Sequence, residues 1–228
     1  MIVNQTELDA LDVAVKSLRD TINSPKARHD EIYRSLHRPP KEGDPPEVFY
    51  GSDDEKESLW IRLCACLDVI DDTTWAMRAY QEDIANEELA ITGMNYLRLY
   101  GVMQAIYAQQ DALKHIGTAI GAPLEFKGKY RRLGEIRFLR NVAIGHPSRN
   151  KYTEEVLRDG KLAKRNIVSH GFLIRSNLWK DSFELSNAAR SGANIRRHFL
   201  PEIIRDQVVL SKEIVDVFIN KLIKEFPG

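Results

Sequence analysis

Apolar residues recur at three- and four-residue steps along most of the chain, and each such stretch predicts a helix with one buried stripe. Leu8, Leu11, Val15 and Leu18 mark the first, which opens at Thr6 with Asp9 three residues on and closes near Asn23-Ser24-Pro25. A capping-box pattern at Ser52 and Glu55 precedes the second, where Trp60, Leu63, Leu67, Ile70, Trp75 and Met77 run to about Asn86, with a bend expected at Thr73-Thr74. The third starts at Thr92 and keeps helical spacing through Tyr96, Leu99, Met103, Ile106, Tyr107, Gln110, Leu113, Ile116 and Ile120, until Gly121 and Pro123 stop it. It is the longest uninterrupted pattern and the expected spine of the fold. A fourth helix, Tyr130 to Ile144, presents Tyr130, Leu133, Ile136, Leu139 and Ala143 and ends at Gly145 and Pro147. The last pattern spans roughly Ala188 to Phe226 through Ile195, Phe199, Ile203, Val208, Ile214, Val217, Ile219 and Ile223. Pro201 either divides it or stands in the first turn of its second part.

Two intervals depart from this period. Residues 37–52 gather prolines, which fix φ and remove backbone donors, so an extended surface loop is expected there. Over residues 167–187, Gly171-Phe-Leu-Ile174 and Ser182-Phe-Glu-Leu185 flank turn-prone Asn177 and Asp181, which predicts a β-hairpin. With no internal repeat and no sustained heptad, residues 1–228 read as one mainly α domain, an up-and-down helical bundle with a small appended β-hairpin.

Composition adds limits. A chain of 228 residues with 43% hydrophobic and 29% charged residues is long enough to bury a sizeable core and is ordinary for a soluble protein. Met1 to Asp12 lacks a basic segment followed by an apolar run, and no stretch approaches the roughly eighteen apolar residues that cross a bilayer, so a cytoplasmic protein with no membrane partner is expected. Cys64 and Cys66 lie two apart in a helical pattern and point to different sides; without a second pair they cannot complete a zinc site. Net charge is zero, yet Asp53 to Glu88 holds eleven acidic and three basic residues, while Lys127 to Arg165 holds twelve basic and four acidic. That basic half suits a phosphate-bearing partner, or equally pairing with the acidic helix of this chain or of a second copy.

Phosphate-loop, dinucleotide-binding, zinc-protease and serine-hydrolase motifs are all absent. Asp71-Asp72 and Glu87-Glu88 are sequence neighbours that diverge on a helix, and His29, His37, His115, His170 and His198 stand alone. Chemistry concentrates instead at the end of the fourth helix, where Arg140, Asn141 and His146 fall within seven residues. The carbonyl end of a helix favours a cation, and an imidazole titrates near neutrality. A purely structural alternative is that Arg140 caps carbonyls, Asn141 bonds locally, and Gly145 with Pro147 merely ends the helix.

Arg140-Asn141, four further residues and His146 resemble the Arg-x(4–6)-His signature of the HEPN superfamily (higher eukaryotes and prokaryotes nucleotide-binding). The segment from Tyr100 to Asp111 resembles the corresponding helix of bacterial HEPN-like proteins, and the similarity covers roughly Met94 to Pro147. It implies a HEPN-like bundle and a homodimeric, metal-independent endoribonuclease without a cofactor, in a defence or toxin-like role. Its RNA site would be composite, with Arg140, Asn141 and His146 of two copies facing each other. HEPN toxins paired with nucleotidyltransferase antitoxins often carry a tyrosine two positions after the histidine, where this chain has Ser148. Other HEPN-like domains act as non-catalytic dimeric modules that bind a nucleotide, RNA or protein partner, and the resemblance admits that reading too.

Overall fold

The computed structural model describes residues 5–23, 53–86, 92–144, 150–158, 161–189 and 192–225. Within them lie five helices, α1 (Gln5–Asn23), α2 (Asp53–Asn86), α3 (Thr92–Ala119), α4 (Arg131–Ala143) and α5 (Leu200–Glu225). Between α4 and α5 run four strands, β1 (Asn150–Arg158), β2 (Lys161–Leu178), β3 (Ser182–Ala189) and β4 (Gly192–Phe199). The molecule is thus mainly helical, as the periodicity implied. The proline-rich interval 37–52 and the segment Gly145 to Pro147 lie outside the described residues.

Side-chain pairs fix the helix directions. Arg19 meets Asp68 and Asp71 at 2.9 and 2.7 Å, and Arg78 meets Asp9 and Asp12 at 2.8 and 2.6 Å, so α1 and α2 run antiparallel. Arg98 pairs with Asp83, and Gln109 reaches Thr73 and Thr74 at 3.3 Å, which makes α3 antiparallel to α2. Gln110 meets Gln207, and Gly117 lies against the Phe218 ring, so α5 returns parallel to α3. Helix α4, antiparallel to both α3 and α5, has already returned the chain to the end where α5 starts. Between them the helices bury Leu8, Leu11, Leu18 and Ile22 of α1, Leu63, Leu67 and Ile70 of α2, Leu99, Met103 and Ile106 of α3, and Ile204, Val208 and Val215 of α5, all at 0 or 1% exposure. Gly121, at φ 67°, takes a left-handed conformation that an L side chain resists, and Ala122 N–H closes back on the Gly117 carbonyl at 2.7 Å to end α3.

A polar chain threads the middle of this core. Gln109 donates to Thr73 and Thr74 and accepts from Gln207 at 2.9 Å and Ser211 at 3.0 Å, while Gln110 donates to Gln207 at 2.8 Å and to the Leu133 carbonyl at 3.1 Å. Each of these glutamines is 0% exposed, so a slipped register would leave amides unpaired at about 1–3 kcal/mol apiece. The network locks α2, α3, α4 and α5 into one alignment. Thr73 and Thr74 donate to the Val69 and Ile70 carbonyls, and α2 is one continuous helix through them.

The sheet is larger than the expected hairpin. β2 and β3 do pair antiparallel around Trp179 to Asp181, but β1 adds beside β2 and β4 beside β3, giving the order β1-β2-β3-β4. β1 escaped the sequence reading because charge interrupts its alternation; its register sets Glu154 opposite Arg165 and Glu155 opposite Lys164. β4 read as helix because Ile195, Phe199 and Ile203 are four apart, a step compatible with period 2 as well as period 3.6. Ile195 and Phe199 are in fact 54% and 43% exposed, α5 begins at Leu200 rather than Ala188, and Pro201 occupies its first turn, where a missing N–H costs nothing. The sheet docks by Phe183 and Leu185, by the Tyr80 hydroxyl donating to the Lys180 carbonyl at 2.8 Å, and by the Lys180 ammonium donating to the Ile84 carbonyl at 3.0 Å.

Candidate functional site

Helix α4 buries Leu133, Ile136, Leu139, Val142 and Ala143, and this stripe decides where its arginines can point. Arg132 falls on the α5 side and meets Asp206 at 2.9 Å. Arg137 and Arg140, on the other flank, lean on α3, which runs antiparallel to α4, so that Arg137 meets Asp111 and Arg140 meets Gln104 one turn later. Tyr107 lies between those α3 positions. The guanidinium carbons of Arg137 and Arg140 sit 3.9 and 4.4 Å from its ring centroid, a cation–π arrangement that fixes both planes.

The two arginines differ in what answers their charge. Arg137 has a carboxylate oxygen of Asp111 at 2.8 Å. Among the described residues Arg140 has amides only: Nη2 donates to Gln104 Oε1 at 2.7 Å and Nη1 donates to Asn141 Oδ1 at 3.2 Å. Its Nε is buried without an acceptor. A guanidinium carries five N–H bonds, so among the described residues one on each terminal nitrogen has no acceptor, and such a pair of donors can hold an oxyanion by two hydrogen bonds. Arg131 pairs with Glu135, and Arg132 with Glu135 and Asp206, which leaves Arg140 the one arginine of α4 without a carboxylate among the described residues.

Arg140 and Asn141 are therefore brought together, with Asn141 exposed and bonded to its neighbour. His146 lies outside the described residues. Among the described residues Arg140 caps no helix carbonyl, in contrast to the structural alternative; its own carbonyl accepts the Ile144 N–H at 2.9 Å in the last helical bond, and its side chain crosses to α3. Gln104, Tyr107 and Asp111 were not singled out from the sequence. Their spacing of three and then four residues puts them on one face of α3, and that was the available signal.

The acidic and basic halves do not pair with each other among the described residues. The acids of α2 meet Arg19 of α1 and Arg98 of α3, whereas the basic residues of α4 and the turn before it meet Asp111, Asp206 and Glu213. Half-burial pushes the thiols of Cys64 and Cys66 up, away from the reactive thiolate. Among the described residues no three His, Cys, Asp or Glu side chains gather as metal ligands, and no helix is long and apolar enough to cross a membrane. Compared with protein-family models, with known proteins and with solved structures, the chain matches none of them.

Proposed function

We propose that this chain is a metal-independent endoribonuclease of the HEPN type, acting at a composite site built by two copies. One observation carries the reading: Arg140 is held on Tyr107 and two amides, and among the described residues no carboxylate stands beside it. Its neighbours on α4, Arg131, Arg132 and Arg137, are each matched by an acid. An unmatched, oriented guanidinium suits an oxyanion.

In the proposed reaction the ribose 2′-oxygen attacks phosphorus while the bond to the 5′-oxygen breaks, leaving a 2′,3′-cyclic phosphate and a 5′-hydroxyl. His146 takes the proton of the 2′-hydroxyl, and His146 of the partner subunit returns one to the departing oxygen. One imidazole cannot do both at once, so the chemistry calls for two copies. Arg140 holds the charge that gathers on the equatorial phosphoryl oxygens, and Asn141 keeps its fork aimed.

A second reading, a non-catalytic module that binds a nucleotide or RNA, is favoured by the fact that Tyr107, Gln104 and Asn141 already hold the Arg140 guanidinium. Single-stranded RNA incubated with the protein in EDTA separates the two. Cleavage by wild type, with His146→Ala slowed by about 10²-fold or more while still binding RNA, supports the enzyme. No cleavage, or equal cleavage by both proteins, removes it; binding that survives in His146→Ala and fails in Arg140→Ala then leaves the binding module standing.

A further inference from the structure

The segment that builds the sheet is the basic part of a balanced chain. Residues 150–199 carry ten basic and five acidic side chains, against totals of 33 and 33 for the whole sequence. Their last ten positions, 190–199, hold three arginines and a histidine with no acid. An excess of this kind draws a polyanion.

The edge strand β4 gives that charge a shape. In the β3–β4 ladder Phe183 and Leu185 turn to the core, so Glu184, opposite Arg197, and Ser182, opposite Phe199, lie on the other side of the sheet. Ile195, Arg197 and Phe199 share that side, with Phe199 43% exposed and the Arg197 side chain 45%. The Arg197 guanidinium carbon lies 3.8 Å from the centroid of the Trp179 ring, and Nε donates to Glu184 Oε1 at 3.2 Å. One side of the guanidinium plane is thus seated on an indole, and the exposure belongs to the rest of the group. Charge by itself keeps an edge strand from pairing with another sheet, and lysine serves that end well. A guanidinium seated on an indole adds a planar group on which a base can stack, and Phe199 adds a second.

We propose that this side of the sheet binds single-stranded nucleic acid, with bases stacked on Arg197 and Phe199 and phosphates held by the basic excess of the sheet segment. The spacing selects the single strand. Residues two apart on a β-strand stand about 6.8 Å apart, twice the ~3.4 Å rise between stacked bases. A base on each platform must therefore have left its neighbour's stack, which an intact duplex does not allow. Stacking of this kind is tolerant of sequence, because every base has a π-face. The surface uses none of Gln104, Tyr107, Arg140 or Asn141 and does not rest on the endoribonuclease reading.

The test is fluorescence anisotropy of a short labelled thymidylate strand with the full chain at low salt. Deoxyribose has no 2′-hydroxyl, so cleavage does not enter the measurement. Wild type is expected to bind, and Phe199→Ala to raise the dissociation constant about 10-fold while Phe199→Trp does not. Arg197→Lys, which keeps the charge and loses the plane, should raise it by a similar factor, as should annealing the strand to its complement. The same ratio between Phe199→Ala and Phe199 should persist in an Arg140→Ala background, whatever the affinity of that background. Overturning results are no binding by wild type, a duplex bound as tightly as the single strand, wild-type affinity in Phe199→Ala or Arg197→Lys, or a Phe199 effect that vanishes with Arg140. Absence of RNA cleavage, by contrast, removes only the endoribonuclease and leaves this surface standing.

Discussion

Two arginines at helix seams of this bundle are held in opposite ways. Arg78, on α2, faces two carboxylates of α1, Asp9 and Asp12, with its side chain only 13% exposed. Arg140, on α4, crosses to α3 and finds an amide, with a second amide from its own neighbour. Both are anchored by short contacts, and both lie near an aromatic ring, Trp75 for Arg78 and Tyr107 for Arg140. The difference is compensation: two carboxylates answer Arg78's charge inside the fold, while among the described residues none stands beside Arg140. Position at a seam therefore does not mark a functional arginine, but the acceptors around it do.

The comparison can be broken most directly by converting one seam into the other. Gln104→Glu puts a carboxylate where an amide oxygen now accepts from Arg140 at 2.7 Å, with little change of shape. It should lower RNA affinity or cleavage by about 10–100-fold, since a fork paired with an internal anion loses its charge-assisted bonds to phosphate, while the melting temperature holds or rises. Gln104→Met, which removes the tether but adds no charge, should cost less. Equal loss in both variants would show that Gln104 acts by position alone and that the neutrality of the seam is irrelevant.

How far the sequence announced these seams depends on which force shaped each element. The α1 stripe of Leu8, Leu11, Val15 and Leu18 is buried where its spacing put it, because burial of apolar area is what selects that periodicity. Trp75 shows the limit: it fits the α2 pattern yet is 67% exposed and lies 5.7 Å from the Arg78 guanidinium, since spacing cannot tell a core aromatic from one that covers a charge. β1 and β4 were missed where ladder hydrogen bonds, not apolar alternation, hold the strands. Arg140 and Asn141 could be named from local sequence, but Gln104 and Tyr107 join them only because α3 and α4 are antiparallel, and that depends on contacts such as Gln110 with the Leu133 carbonyl. Long-range register of this kind leaves no local trace.

A smaller effect tests the compensated side. Burial raises the Asp12 carboxyl despite Arg78 beside it, with Asp71 and Asp9 pushing the same way, whereas Arg78 is held more firmly charged, first by its hydrogen bond to Asp9. Arg78→Leu leaves Asp9, Asp12 and Asp71 facing one another. Because those carboxylates are partly solvated, the loss should be about 1–2 kcal/mol rather than the larger cost of a fully buried ion, or roughly 2–8 °C in melting temperature. RNA cleavage should be unchanged. Arg140→Leu should shift the melting temperature by about 2 °C or less, and a drop as large as that of Arg78→Leu would end the distinction between the two seams.

The smallest expected effect lies at a third kind of junction, where two guanidiniums lie near a half-buried imidazole. His198 on β4 stacks on Phe183 at 5.4 Å, is half-buried, and lies near Arg132 of α4 and Arg196 of its own strand. Burial first, then the two guanidiniums, holds its imidazole below the ordinary value of 6.5. At pH above 6.5 the ring is neutral in folded and unfolded chains alike, and stability is at its full value. As pH falls through 6.5 the unfolded chain takes up the proton first, so stability declines until the folded ring is protonated as well, and then levels off. Thermal melts of wild type and His198→Phe between pH 7.5 and about 5 should diverge in slope, the variant flatter, before the carboxylates begin to titrate. Parallel slopes would mean that the junction tolerates a third cation, and that Asp206 and Glu135, which already pair with Arg132, leave it no net positive field.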